Sequence, residues 1–190
     1  MQESNSENFN HLKIHSQFSI CEGAIKIDDL KNISKDSQLK ALGLCDTSNL
    51  CGALEFAEKL SKSGSQPIIG TQINFKLNDT TGLLPLYALN EDGYKTIIKL
   101  SSLSFLKNDE LSEPHLDFDE LLNKNEGVAI LMATHDLFRA KEVSTHIGIM
   151  RSGILENYSS TSELTLKQLE TIYLDIMNFK NLRLISFEKK

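Results

Sequence analysis

Apolar and polar positions change period repeatedly along this chain, and each change marks an element. The run HLKIHS (11–16) alternates and predicts a short strand. Ile25, Ile27, Leu30 and Ile33 follow near helical spacing. ALGLCD, from Ala41 to Asp46, is a short apolar run ending in a carboxylate, as a buried parallel strand would end. LCGALEFAEKLSKSG places Leu50, Leu54, Ala57 and Leu60 on one helical face and stops at Gly64, a C-cap residue. PIIGTQINFKL predicts a strand entered through Pro67, NDTTG a turn, and LLPLYAL a further strand. Asn90 then precedes the helix DGYKTIIKLSSLSFL, DFDELLNKN predicts a short helix, and GVAILMA a buried strand.

The order continues after Ala133. LFRAKEVSTH reads as a helix and IGIMRSGILENYS as a hairpin about Ser152-Gly153. A final helix is capped by Thr165 and Gln168 at capping-box spacing, with Leu166, Leu169, Ile172, Tyr173 and Ile176 on one face. The end, NFKNLRLISFEKK, is a strand or a frayed tail. Strands alternating with helices of this length predict βαβ units, an α/β fold and a largely parallel sheet.

Composition adds limits. At 190 residues, 40% hydrophobic and 24% charged, the chain suits one soluble domain or two small ones. The net charge of −6 argues against direct nucleic-acid binding and reads as plain solubility. Cys21, Cys45 and Cys51 lack CxxC spacing and are expected to be reduced and half-buried. The polar start MQESNSENFN is unlike a signal peptide, and no apolar run is long enough to span a bilayer. A cytoplasmic protein without a membrane segment is expected. His115 reads as a solvated loop residue and His146 as a helix-end charge. Tyr94, Ile97, Ile98, Leu100 and Phe105 read as a core stripe rather than a base-stacking platform.

The first candidate chemistry lies in HLKIHSQFS and LCDTSN. His11, His15 and Asp46 are residue types that suit a zinc or manganese site, and Asp46 ends a strand, where α/β folds gather ligands. On spacing alone the plainer alternative is preferred: His15 packs in the core and Asp46 caps the next helix.

The blocks FNHLKIHSQFS, ALGLCDTSNLCGALEFAEKL, QPIIGTQINF, LYALNEDGYKTIIKLSSLSFL and LLNKNEG resemble, in order and spacing, the amino-terminal PHP domain of the bacterial polymerase III alpha subunit. The resemblance covers roughly residues 9 to 130. It implies a partial, distorted (β/α) barrel, a role in DNA replication, and partners in the rest of that subunit and the replisome. Some members bind a metal cluster with proofreading exonuclease activity, and others have lost the metals. Metal-binding members carry H-x-H-x-H where Lys13 here replaces the middle histidine between His11 and His15. They carry Asp-His where Asp46-Thr47 stands, and a glutamate where Gln72 stands. A protonated lysine repels a cation, and threonine and glutamine remove imidazole and carboxylate donors. The resemblance therefore implies vestigial metal positions, a structural domain without cofactor, and no catalytic residue in this stretch. Zinc or manganese enters only if the degenerate site still binds one.

A second stretch, GVAILMATHDLFRAKEVSTHIGIMRSGILENYSS, with the later TSELTLKQLETIYLDIM, resembles the end of an ABC-transporter ATPase over roughly residues 127 to 177. It implies a β-α-β-β-α tail with His135 as a nucleotide-sensing residue beside Asp136. The plainer reading is a helix cap next to a surface histidine. The chain contains no G-x-x-x-x-G-K-[ST] loop, no LSGGQ-like segment and no strand ending in Asp-Glu, so ATP hydrolysis is not expected. The expected organisation is a disordered start (1–8), a truncated PHP-like domain (9–130), an ATPase-like segment (131–177) and a tail (178–190). The two resemblances meet near Glu126–Leu131. A gene fusion, a cloning or assembly artefact, a recombination and a chimaera without function all stay open at the level of sequence.

Overall fold

The structure is a computed structural model, which describes residues 9–77, 80–108, 112–124 and 126–177. The expected disordered start and the tail from 178 lie outside the described residues. The chain divides into two compact units, Met1–Met132 and Ala133–Lys190.

The first unit is built on β2, Gln66–Leu77, whose 12 residues carry neighbours along both edges. β1, Ala41–Thr47, pairs parallel with its first half, from Ala41 opposite Gln66 to Thr47 opposite Gln72. β4, the two residues Leu116–Asp117, pairs parallel with Phe75 and Lys76. β3, Thr80–Ala88, runs antiparallel to β2, and β5, Val128–Ile130, antiparallel to β3. The sheet is therefore mixed rather than largely parallel. Among the described residues it is an open sheet of five strands and not a closed barrel. Its direction follows from chain length: too few residues separate β2 from β3 for a crossover, so the strand must double back. Thr80, Thr81 and Gly82, expected in a turn, extend β3, whereas Asn78 and Asp79 lie outside the described residues. HLKIHS forms no strand but two isolated parallel bridges, Ile14 to Leu44 against β1 and Ser16 to Ile25.

α1, Ile27–Asp36, and α2, Ala53–Ser63, cover one sheet face. Ile27 and Leu30 of α1 and Phe56 and Leu60 of α2 close over Leu42 and Leu44. The α2 face is offset from the expected one: Ala53, Phe56 and Leu60 are buried, while Leu54 is 71% exposed. Gly64 ends α2 at φ 87°, the left-handed conformation that glycine adopts without a Cβ penalty. α3, Glu91–Leu106, starts at Asn90, whose side chain accepts the Gly93 N–H. Ile97 and Leu100 of α3 are buried; Ile98 and Phe105 face solvent, so the expected stripe is only partly core. α4, Phe118–Asn123, follows β4. Gly93 and Gly127 touch backbone to backbone: a Cβ at Gly93 would collide with the Gly127 carbonyl, which also accepts the Leu89 N–H at 2.9 Å.

The second unit contains α5, Leu137–Val143, the hairpin β6, His146–Arg151, with β7, Ile154–Ser160, and α6, Leu166–Ile176. Ser152 and Gly153 turn the hairpin with φ values of 50° and 82°. Thr165 and Gln168 form the capping box of α6. Leu169 is fully buried against Ile147 and Ile149. His146 is not at a helix end; it opens β6 and stacks on Tyr158 at 5.4 Å between ring centres. His115 is half-buried rather than solvated, its Nδ1 2.9 Å from the Glu113 carbonyl. Cys45 is fully buried and Cys21 and Cys51 are exposed, so no cysteine is half-buried.

Candidate functional site

Two polar clusters form at the end of β1, beside the middle of β2. The chain enters beside β1, where the Cys45 N–H donates to the Ile14 carbonyl at 2.8 Å. It then turns back over the strand ends as the loop 16–23. A Ser16-to-Ser19 turn in that loop aims two hydroxyls inward: the Ser19 N–H donates to the Ser16 carbonyl at 2.9 Å. Asp46, 1% exposed, receives both. The Ser16 N–H donates to Oδ1 at 2.6 Å, the Ser16 hydroxyl to Oδ2 at 2.7 Å, and the Ser19 hydroxyl to Oδ1 at 2.6 Å. The Ser19 oxygen in turn accepts the Thr47 N–H at 3.1 Å. Three short bonds to a carboxylate compensate the cost of burying its charge. Asp46 is thus neither exposed nor a helix cap; it fastens the loop to the sheet.

Strand alternation turns Thr47 to the opposite face from Asp46, and the register sets Gln72 directly beside it. Glu22 reaches in from the loop. The Thr47 hydroxyl donates to Glu22 Oε2 in a short bond, and the Gln72 amide N–H donates to Thr47 Oγ1 at 2.7 Å. Gln72 Nε2 and His15 Nδ1 stand 3.5 and 3.6 Å from that same Glu22 oxygen. The cluster continues across the sheet face. Cys45 is opposite Gly70 and Gly70 opposite Tyr87. The ring of Tyr87 lies over Gly70, where a Cβ would sit 2.6 Å from its Cδ1. Burial pushes the Cys45 thiol up to about 11, opposed first by its hydrogen bond with the Tyr87 hydroxyl and then by the Lys13 ammonium; burial raises the Tyr87 phenol as well.

Of the residues singled out by sequence, His15, Thr47 and Gln72 meet around Glu22. Lys13 is exposed on the Cys45 side. His11 is exposed, edge-on to the Phe9 ring at 4.8 Å, its carbonyl accepting the Gly43 N–H. Asp46 faces away from the Glu22 cluster. Glu22, Ser16, Ser19 and Tyr87 were not singled out; a loop without hydrophobic period offers no signal for them. This donor set does not fit a divalent cation. The Asp46 carboxylate already accepts three hydrogen bonds and faces away from Glu22, and the groups that do surround Glu22 include a hydroxyl and an amide rather than further anionic donors. Among the described residues no group of three or more His, Cys, Asp or Glu side chains is placed to hold a metal ion.

His135 lies exposed in the segment between β5 and α5. Asp136 caps α5, accepting the Arg139 N–H at 3.0 Å, which is the plainer of the two readings of this pair. No helix among the described residues is long and apolar enough to cross a membrane.

The strand order and these clusters define a mixed α/β domain with its polar groups gathered about the carboxyl end of β1, a usual place for sites in such folds. The chain belongs to the PHP domain family, whose pattern matches residues 11–178. The DNA polymerase III subunit alpha of Rickettsia felis is 34% identical over 176 residues, 92% of this chain and 14% of that protein. The Caulobacter vibrioides subunit is 33% identical over 149 residues, 72% of this chain and 13% of the relative. The chain thus spans about a seventh of the length of these relatives. An amidohydrolase from Chromobacterium violaceum, with a TM-score of 0.43 and 16% identity, covers 50% of this chain with 32% of its own; that likeness is too partial to bear on the site. The PHP match runs through residues 127–177, and the ATPase resemblance of that stretch gains no support from these relatives.

Proposed function

We propose that this chain serves as a structural, metal-free PHP domain within a polymerase III alpha-like protein that works in DNA replication. Identity of 33–34% to two such subunits supports the replication assignment. The observation that carries the structural role is the engagement of Asp46 by Ser16 and Ser19, whose three bonds fill all but one of its acceptor sites and hold it in the core away from Glu22. Without a bound cation, nothing in the Glu22 cluster would bring a water's pKa near neutrality, so phosphoester or exonuclease chemistry is not assigned. The partners of the proposal are the remaining domains of such a subunit. His135 receives no nucleotide role, because no phosphate-cradling loop accompanies it.

Metal content and activity test this reading together. Protein incubated with zinc or manganese and then desalted is expected to retain far less than one ion per chain. It is also expected to show no EDTA-sensitive release of phosphate from p-nitrophenyl phosphate and no shortening of a 3′-labelled DNA strand. A stoichiometric ion lost on His15→Ala, or an EDTA-sensitive activity, would overturn it. For the replication role, Asp46→Ala in the chromosomal gene is expected to make DNA synthesis heat-sensitive; unaffected thymidine incorporation would count against it.

A further inference from the structure

We draw no further inference here: the strongest candidate, the exposed apolar patch that Leu155 and Tyr158 form about Gly148 on the outer face of the β6–β7 hairpin, carries none, because nothing in the structure shows what covers it.

Discussion

Ser16 holds Asp46 twice, its backbone N–H on one carboxylate oxygen and its hydroxyl on the other, at 2.6 and 2.7 Å. Both residues are fully buried, so neither bond competes with bulk solvent. Removing the acceptor strands three donors. Asp46→Ala is expected to cost about 3–5 kcal/mol, and Ser16→Ala about 1–2 kcal/mol, in urea unfolding. The double variant should lose less than the sum, because both changes break the same bonds. Additive losses would show that the two side chains act independently.

Gln72→Glu sets a second carboxylate beside Glu22. Two neighbouring carboxylates disfavour each other's ionised form, so the pKa of one of them rises in the folded protein above the unfolded value of about 4.3. A raised folded pKa means stability that is intact below the unfolded pKa and lost as pH climbs through the folded one. The variant is therefore expected to match the parent near pH 4 and fall behind by roughly 1–2 kcal/mol at pH 7. Thermal unfolding across that range measures the gap. A gap that is constant with pH would mean the new side chain points away from Glu22.

Cys45 supplies a second pH dependence, at the alkaline end. Burial lifts its thiol from 9.0 to about 11, so the unfolded chain ionises first as pH rises. Stability from this group is complete below pH 9 and drains away towards pH 11, by at most about 1.4 kcal/mol per pH unit. Cys45→Ala should flatten that slope. In the native protein Cys21 and Cys51 should react promptly with an aromatic disulfide reagent, and Cys45 only after unfolding.

Gly93→Ala tests the contact between α3 and the turn before β5. The added methyl has only the Gly127 backbone to meet, and a backbone carbonyl cannot swing aside as a side chain does. A loss of roughly 2–3 kcal/mol is expected in chemical unfolding. A neutral result would mean that the turn has freedom to withdraw.

Leu169→Ala addresses the second unit, where this leucine is the only fully buried residue of α6. A loss of about 2–5 kcal/mol is expected, against about 1 kcal/mol for Thr165→Ala, which removes the cap alone. Circular dichroism during urea unfolding compares the two. Equal effects would imply that α6 is held by its cap rather than its packing.

Features that depend on a few adjacent residues were legible in the sequence. The cap at Gly64, the Asn90 start of α3, the Thr165–Gln168 box and the Ser152-Gly153 turn all stand where the residue types place them. The expectation of a largely parallel sheet failed at β3 and β5, although the short connection between β2 and β3 already forbids a parallel arrangement there. The helix face of α2 was phased on Leu54, which faces solvent, because leucines outweighed Phe56 in the pattern. At the site, Thr47, Gln72 and His15 were named but Glu22, which gathers them, was not. It lies in a loop whose shape comes from tertiary bonds to Asp46 and Thr47, and such bonds leave no period to detect.

The fastening of loop 16–23 to β1 is made from the polypeptide alone. It is complete once the chain has folded, and no ion has to be delivered for it to close. A protein held this way is expected to keep the shape of this loop when zinc or manganese is scarce.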